Sequence, residues 1–526
     1  MGQRLNALVV AVALASALPA ARAADAPFQV VEASVDDIHA AMKAGKLTAR
    51  QLVQMYLDRI EALDKKGPAI NSVISINPQA LAEADRLDAA YKASGFTGPL
   101  HGIPILVKDE VDAAGMATTL GTLVFKDYKP TRDAFPVAQL RKQGAIILGK
   151  TTLSEYAAGD TYGSMFGATH NPYALDRTAG GSSGGSGAAL AANFSTLAIG
   201  EETSSSIRRP AAWGALVSAR PTPGLVSRSG MWDGYPSPTA QMGPMAKTVR
   251  DLALMLDGMV GYDPEDPVSA LGVGKYNGSY TQYLVKDGLK GARIGVLQEP
   301  IGTQSDPTMA DYKKVDALFQ KAVGELKAAG ATVVDPIVIP DLKALLAKAS
   351  RDPETADKAL HVYLGRNPNS PFKSHEDIGK SPEMSKSIPS SKADPWLKPP
   401  EKTDWAKWAE YLQAREQLTV NIAKIMADNK LDAIVLKTVE HQPNLIKEGM
   451  NPPYKPTRGL VALNTFLVYA SVITVPAGFD ADNIPVGMTF FGLAYSEPTL
   501  FKLAYSYEQA THHRVPPKST PPLKAH

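Results

Sequence analysis

The chain has 526 residues, a formal net charge of +2 and no cysteine. So small a net charge on so long a chain argues against a dedicated nucleic-acid surface, which normally needs a concentrated basic patch, and we expect no nucleic-acid partner. The lack of cysteine excludes disulfides, zinc–thiolate sites and a cysteine nucleophile, which leaves serine, threonine or a metal for hydrolytic chemistry. No Pro/Gly/Ser linker divides the central region, so we expect one large domain.

The N-terminus has the three-part pattern of a secretory signal peptide. A short basic start ends at Arg4, an apolar run covers 5–18, and Ala21-Arg22-Ala23 is a small-x-small cleavage site. A retained membrane anchor is the alternative, but about 14 apolar residues are few for a span. We therefore expect Sec-type export with removal of residues 1–23, no stable membrane insertion afterwards, and a periplasmic or secreted protein.

Apolar strands alternate with helices through the mature chain, residues 24–526. Ser34 with Asp37 and Thr48 with Gln51 are capping-box pairs that begin the first helices. The alternation is typical of an α/β fold with a mixed, largely parallel central sheet flanked by helices. The predicted strands cover 71–76, 103–107, 145–148, 195–199, 293–297, 331–334, 433–436 and 472–475, and the predicted helices cover 78–94, 134–143, 186–193, 308–329 and 404–429.

A charged and Pro/Ser-rich segment interrupts this alternation over about residues 336–403. We interpret it as a variable insertion in the domain. A surface insertion is one hypothesis, and a flap over the substrate entrance is the other, since long loops are often functional.

Two Gly/Ser-rich loops flank one predicted helix–strand unit. The first, over 180–187, contains Ser182 and Ser183, and the second, over 201–206, ends at Ser206. The hydroxyls of Ser182 and Ser206 could therefore reach the same end of a sheet. A serine needs a base to attack a carbonyl, and Lys108, at the end of an apolar run, is the nearest upstream candidate. Desolvation disfavours the ammonium form, so we expect Lys108 to be buried and uncharged.

Several motifs in order resemble the amidase signature family of serine hydrolases, which use a Ser-cisSer-Lys triad. The resemblance covers roughly 30–511 and implies the amidase signature fold. The motifs are LHGIPILVKDEVDAAGMATTLGT (100–122), GGSSGGSG (180–187), SSIRRPA (205–211), GLVSRSG (224–230), GPMAKTVRD (243–251), ITVPAGF (473–479) and PVGMTFFG (485–492).

The resemblance implies a role for each member of the triad. Lys108 matches the base, Ser182 the serine that bridges base and nucleophile, and Ser206 the nucleophile, with Ser183 as the fallback for the bridge. The expected reaction is amide hydrolysis through an acyl-enzyme. No metal and no cofactor are implied.

The nucleophile loop departs from the family pattern Asp-x-Gly-Gly-Ser-Ile-Arg. Here the sequence is Glu202-Thr-Ser-Ser-Ser-Ile-Arg, so serines occupy both glycine positions. We expect the backbone N–H groups of Thr203, Ser204, Ser205 and Ser206 to form the oxyanion hole, provided that neither serine needs a glycine-only conformation. We expect Arg208 to pair with Glu202 in a supporting role.

Other functions stay open at this level. The chain could be an esterase or carbamate hydrolase, the glutaminase subunit of a tRNA-dependent amidotransferase, or a non-catalytic binding relative. The scattered histidines and the absence of G-x-S-x-G argue against a Ser-His-Asp triad, and His101 is interpreted as a turn or core residue.

The substrate is expected to be a small-molecule amide, and the chain a monomer or homodimer. We name Ser183, Met116 and Tyr162 as candidate substrate-binding residues. The segments considered for the acyl pocket are 116–119, 156–165, 231–235 and 464–469, whose aromatic and methionine content suggests an apolar or aryl acyl group.

Overall fold

The computed structural model describes residues 28–389 and 401–524. The predicted signal peptide, residues 1–23, and part of the insertion therefore lie outside the described residues. No helix in the described ranges combines the length and the apolar character that a membrane crossing requires.

The helices follow the predicted order, and both capping boxes are confirmed, at Ser34–Asp37 and Thr48–Gln51. A π-helical turn, Ile60–Asp64, extends the second helix. The α helices are α1 Val35–Lys43, α2 Ala49–Arg59, α3 Ala80–Ser94, α4 Phe135–Lys142, α5 Gly184–Ala191, α6 Arg208–Trp213, α7 Val249–Met259, α8 Ala310–Ala328, α9 Leu342–Leu346, α10 Pro353–Arg366, α11 His375–Gly379, α12 Trp405–Asn429, α13 Ile446–Met450, α14 Leu463–Leu467 and α15 Glu497–Thr511.

Eight strands of the main sheet lie close to their predicted positions, whereas β9, β10 and β15 were not predicted. Four short strands, β4–β7, form two small hairpins beside the main sheet. Their bounds are β1 Val73–Ile76, β2 Pro104–Lys108, β3 Ile146–Thr151, β4 Tyr162–Gly163, β5 Gly167–Ala168, β6 His170–Asn171, β7 Ala174–Thr178, β8 Leu197–Glu202, β9 Val217–Arg220, β10 Gln241–Ala246, β11 Arg293–Val296, β12 Thr332–Val334, β13 Ala433–Lys437, β14 Ser471–Phe479 and β15 Pro485–Gly492.

The described residues form one 11-stranded mixed sheet in the order β1-β3-β2-β8-β10-β9-β14-β15-β13-β11-β12. This confirms the predicted single α/β domain with a mixed central sheet. Parallel pairing joins β3, β2 and β8 at one side and β13, β11 and β12 at the other. The strands between these groups pair antiparallel, as does β1.

The parallel pairing of β2 with β8 places the site. Val107 on β2 lies opposite Ile199 on β8, so the residues that follow them leave the sheet at the same edge. In parallel sheets this carboxyl edge is where ligands bind, at points where the strand order changes direction. Lys108 and Glu201 consequently meet there.

The insertion contains helices that the sequence reasoning did not predict. α9, α10 and α11 all lie within it, and Leu360, Tyr363, Leu364 and Ile378 are buried in an aromatic cluster with Trp232. The Tyr363 hydroxyl donates to Asp112 Oδ1 (3.0 Å), which ties α10 to the loop after β2. The described part of the segment is thus packed onto the domain, and its role as a flap stays a prediction.

Buried Arg59 joins three distant parts of the chain. Its guanidinium donates to the carbonyls of Ala192 (2.9 Å) and Asn193 (3.0 Å), which follow α5, and to those of Thr520 (3.0 Å) and Pro521 (2.9 Å) near the C-terminus. Since the last carbonyls of a helix lack partners within it, Arg59 satisfies groups that would otherwise be buried without one. The position of α5, directly after the first Ser-rich loop, therefore depends on Arg59.

We predict that Arg59→Met lowers the free energy of unfolding by about 3 kcal/mol or more, because buried carbonyls lose their charged donor. Urea unfolding followed by tryptophan fluorescence measures the loss. Arg50→Met, which removes an exposed pair with Asp85, is the control and should change stability by less than about 1 kcal/mol. Equal losses in the two variants would contradict the role given to Arg59.

Candidate active site

Lys108 and Ser182 are in direct contact. Lys108 is the last residue of β2 and has no exposed surface, and its Nζ lies 2.6 Å from Ser182 Oγ. The Gly181–Ser182 peptide bond is cis. The buried strand and the Gly/Ser loop thus bring two of the three predicted triad residues together.

The protonation expected for Lys108 is wrong in this geometry. Its Nζ lies 2.8 Å from Glu110 Oε1 and 2.8 Å from Glu201 Oε2, and all three side chains are buried. Burial lowers the pKa of the Lys108 amine, but the charges of Glu110 and Glu201 outweigh it and raise that pKa above its ordinary value. The two nearby carboxylates thus compensate for the loss of water and favour the ammonium form.

Ser206 lies in the second Ser-rich loop, between β8 and α6, and is partly exposed. The Ser183 N–H donates to the Ser206 carbonyl (3.1 Å), so the two loops are joined by their backbones. No hydrogen bond joins the Ser206 hydroxyl to Ser182 or Lys108 among the described residues. Catalytic hydrogen bonds are often long before a substrate binds, and the role of Ser206 stays a prediction.

The loop that carries Ser206 is held by a buried ion pair, as expected for Arg208. Arg208 Nε donates to Glu202 Oε1 (2.8 Å), and the N–H groups of Ile207 and Arg208 donate to Glu202 Oε2 (both 3.0 Å). Burial raises the pKa of the Glu202 carboxyl, but the charges of Arg208 and Arg220 outweigh it and hold that pKa below its ordinary value. Glu202 is therefore an anion that fixes the start of α6.

The ion pair of Arg208 with Glu202, the clamp of this loop, also orients the backbone of the loop. The Ser204 carbonyl accepts from Arg208 Nη2 (2.9 Å) and from Thr465 Oγ1 (3.1 Å). Because the peptide unit is planar and trans, the N–H of Ser205 points away from both donors. The loop can thus present an N–H group on its free side.

The four predicted oxyanion-hole donors are available. Among the described residues, the N–H groups of Thr203, Ser204, Ser205 and Ser206 have no backbone acceptor. Neither Ser204 nor Ser205 has a positive φ. The serines that replace the family glycines therefore need no glycine-only conformation, which is the condition that the sequence analysis placed on an oxyanion hole in this loop.

A cavity of about 640 Å³ borders this loop. Thr203 and Ser204 form one side of it. Its other walls come from residues 237–239, from Ile301 and Thr303, from the insertion and from the C-terminal part of the chain. The apolar side chains include Leu346, Trp408, Tyr411, Leu463 and Phe466. A cavity of this size and lining suits a small apolar ligand.

The candidate substrate-binding residues lie elsewhere. Ser183 is fully buried, and its hydroxyl donates to the Glu201 carbonyl (3.0 Å). Met116 belongs to the main hydrophobic core, and the Tyr162 ring lies against Gly449. None of the three lines the cavity beside Thr203. Methionine and tyrosine content alone could not distinguish core from pocket.

Sequence reasoning missed the two carboxylates on Lys108. Glu110 follows Lys108 by two residues, and Glu201 precedes the nucleophile loop, so both positions were visible in the sequence. Acidic residues so close to two candidate catalytic segments were the available signal. No cluster of three His, Asp or Glu side chains suited to a metal occurs in residues 28–389 and 401–524.

Comparisons with known proteins agree on one family. The family described as Amidase matches residues 51–501. A probable amidase from Arabidopsis thaliana is 32% identical over 516 residues, with 93% of this chain and 92% of the relative covered. The A subunit of the glutamyl-tRNA(Gln) amidotransferase from a Cyanothece species is 31% identical, with 92% of this chain and 99% of the relative covered.

A solved structure shows the same fold. The native peptide amidase from Stenotrophomonas maltophilia has a TM-score of 0.81 and 34% identity to this chain, with 92% of this chain and 98% of that one covered. The similarity thus extends over nearly the whole described chain.

We predict that Arg208→Met lowers the free energy of unfolding by about 3–5 kcal/mol at neutral pH, because it leaves Glu202 buried and unpaired. The pKa of Glu202 lies below its ordinary 4.5 in the folded protein, so the stability from this pair is present above that pH and is lost as pH falls. The difference in the free energy of unfolding between Arg208→Met and wild type should therefore become smaller at acidic pH.

Urea unfolding at neutral and acidic pH measures both effects. Arg250→Met, which removes the exposed pair with Asp36, is the control and should cost less than about 1 kcal/mol. A loss in Arg208→Met as small as in this control would contradict the clamp.

Proposed function

The chain belongs to the amidase signature family of hydrolases that cleave C–N bonds, and on this premise we propose that it hydrolyses carboxylic amides with Ser206 as the nucleophile. The contact between Lys108 Nζ and Ser182 Oγ (2.6 Å) is the observation that carries the proposal. A buried lysine and a serine hydroxyl at this distance form a route for protons at the edge of the sheet, next to the loop of Ser206.

In the proposed reaction Lys108 acts in its amine form and accepts the Ser206 proton through Ser182 while Ser206 Oγ attacks the amide carbonyl. The free N–H groups of Thr203 to Ser206 stabilise the negative oxygen of the tetrahedral intermediate, where each donor is worth about 3 kcal/mol. The proton then returns through Ser182 to the nitrogen, which leaves as ammonia or an amine. Water hydrolyses the acyl-enzyme by the same route.

The cavity supports an apolar or aryl group on the acyl side of the substrate. Its walls present Trp408, Tyr411 and Phe466, and it borders the loop at Thr203 and Ser204. An acyl group held there would place its carbonyl next to the proposed oxyanion hole. The proposed substrates are therefore small amides with a bulky apolar acyl part.

The predicted export favours a freestanding hydrolase over a component of an amidotransferase. The basic start, apolar run and Ala21-Arg22-Ala23 site favour secretion, whereas a tRNA-dependent partner complex would act inside the cell. We therefore propose that the mature enzyme acts in the periplasm or medium, as a monomer or homodimer.

We predict that Ser206→Ala and Lys108→Ala each lower amide hydrolysis at least about 1000-fold, because the triad acts as a unit. A panel of aryl, aliphatic and peptide-terminal amides, read by ammonia or amine release, is the measurement. Ser94→Ala, an exposed serine on α3, is the control and should keep the wild-type rate. Full activity in either triad variant would overturn the proposal.

We predict that the exported protein begins at Ala24, because cleavage follows Ala23. Expression of the full chain in a Gram-negative host, followed by fractionation and N-terminal sequencing, tests this. A chain that lacks residues 2–23 should stay in the cytoplasm. Recovery of the full-length chain with Met1 in the membrane fraction would instead show a retained anchor.

A further inference from the structure

Arg209, the second residue of α6, is buried and has no role in the proposed triad. Its backbone N–H donates to the Ser205 carbonyl (2.8 Å), directly before Ser206 in the chain. Its guanidinium donates to the Gly181 carbonyl through Nε (2.8 Å) and Nη2 (2.5 Å), directly before Ser182. One residue therefore contacts the peptide unit in front of each proposed catalytic serine.

A second backbone segment meets the same guanidinium. Arg209 Nη2 also donates to the Gly159 carbonyl (2.8 Å), so the oxygens of Gly159 and Gly181 accept from one nitrogen. The two segments are in close contact, since a Cβ on Gly181 would lie 2.3 Å from the Gly159 oxygen. Buried carbonyl oxygens this near to each other repel and need a donor. Arg209 supplies that donor and so holds the Gly181 segment in place.

The charge of Arg209 has its own partner, separate from these carbonyls. Arg209 Nη1 lies 2.9 Å from Asp160 Oδ1, and Asp160 Oδ2 accepts from Thr457 Oγ1 (2.6 Å). The planar guanidinium thus binds a carboxylate with one nitrogen and backbone oxygens with the other two, which fixes its orientation. Because different nitrogens serve Asp160 and Gly181, a substitution can remove the charge of the ion pair and keep the backbone contact.

The carbonyls on either side of Gly181 also have donors from other segments. The Gly180 carbonyl accepts from the N–H (2.9 Å) and Oγ1 (2.7 Å) of Thr161, and the Ser182 carbonyl accepts from the Ser154 N–H (3.1 Å). The backbone of Ser182 is therefore held on both sides. The middle contact, at Gly181, comes from the helix that follows the nucleophile loop, so it is the one that relates the two serine loops to each other.

We propose that Arg209 is a positioning residue, which holds Ser182 relative to Ser206 so that the Ser182 hydroxyl can return a proton to the leaving nitrogen. This inference rests on the proposed function of the triad. The Ser182 hydroxyl already contacts Lys108 Nζ (2.6 Å), and its distance from a bound substrate depends on where the Gly181 segment lies against α6. A displacement of about 1 Å at such a group can cost about 100-fold in rate.

The second proton transfer depends on Ser182 more than the first does. As Ser206 Oγ bonds to the carbonyl carbon, its proton moves through Ser182 to the Lys108 amine. When the C–N bond breaks, that proton must return through Ser182 to the nitrogen, because an amide nitrogen leaves poorly as an anion. In a 4-nitrophenyl ester the C–O bond breaks instead, and nitrophenolate leaves without a proton. A displaced Ser182 should therefore slow amide hydrolysis more than hydrolysis of such an ester.

The test compares kcat/KM for the primary amide and for the 4-nitrophenyl ester of one acyl group, that of the best amide in the panel. We expect Arg209→Met to lower kcat/KM for the amide about 100-fold or more and for the ester by about 10-fold or less. The amide-to-ester ratio should thus fall at least about 10-fold. This ratio does not depend on the fraction of folded enzyme, so a merely structural loss leaves it unchanged.

Asp160→Asn is the matched control. It removes the charge that compensates the buried guanidinium, so we expect a lower Tm, as in Arg209→Met. Arg209 keeps its contact with the Gly181 carbonyl in this variant, and the amide-to-ester ratio should stay within about 2-fold of wild type. An equal fall of the ratio in Asp160→Asn would overturn the proposal, because the ion pair and not the backbone contact would then set the ratio.

The remaining outcomes separate this inference from the proposed function. A wild type that hydrolyses no amide of the panel would overturn both together. Amide hydrolysis by wild type with an unchanged ratio in Arg209→Met would overturn the inference alone. If Arg209→Met does not fold, Arg209→Lys decides, since an ammonium keeps the charge for Asp160 but lacks the planar fork that binds the carbonyls. A lower ratio in Arg209→Lys supports the positioning role, and an unchanged ratio overturns it.

Discussion

The site depends on keeping a lysine charge inside the protein without water. Lys108 has no exposed surface, so its ammonium exists only because Glu110, Glu201 and the Ser182 hydroxyl surround it at 2.6–2.8 Å. The parallel pairing of β2 with β8 brings these groups to one edge of the sheet. The fold thus supplies the counter-charges from the same two strands that position the candidate catalytic loops.

Buried ion pairs recur around this edge of the sheet. Arg208 holds Glu202 at the start of α6, and Lys150 holds Asp109 on the strand next to β2. Each pair is costly to break, because the remaining charge would stay buried and unpaired. Loops that carry small residues are thereby held in part by charged side chains of the neighbouring elements.

The sequence was sufficient for eight strands of the main sheet and for most of the longer helices outside the insertion, because apolar periodicity is a local signal, whereas β9, β10 and β15 were missed. The meeting of Lys108 with Ser182 followed from the resemblance of the ordered motifs to the family. The charge on Lys108 could not be predicted, since it depends on Glu201, which is 93 residues away in the chain. Helix α10 was missed because the charged and proline-rich sequence of the insertion shows no clear helical periodicity of apolar residues. The helix is stabilised by buried contacts such as that of Tyr363 with Asp112. Met116 and Tyr162 were chosen on composition, which does not distinguish core from cavity.

Ser183 joins the two serine loops without using the hydroxyls of Ser182 and Ser206. Its N–H donates to the Ser206 carbonyl, and its hydroxyl both donates to the Glu201 carbonyl and accepts from the Glu201 N–H (3.2 Å). These contacts use only backbone groups of the partners. The contacts of Ser183 therefore fix the relative position of Ser182 and Ser206 without a hydrogen bond to either hydroxyl. Ser204 and Ser205, which occupy the family's glycine positions, have ordinary φ, so the loop gains side chains without losing its N–H donors. The proposed proton route could therefore change its hydrogen bonds during a reaction while these backbone contacts stay in place.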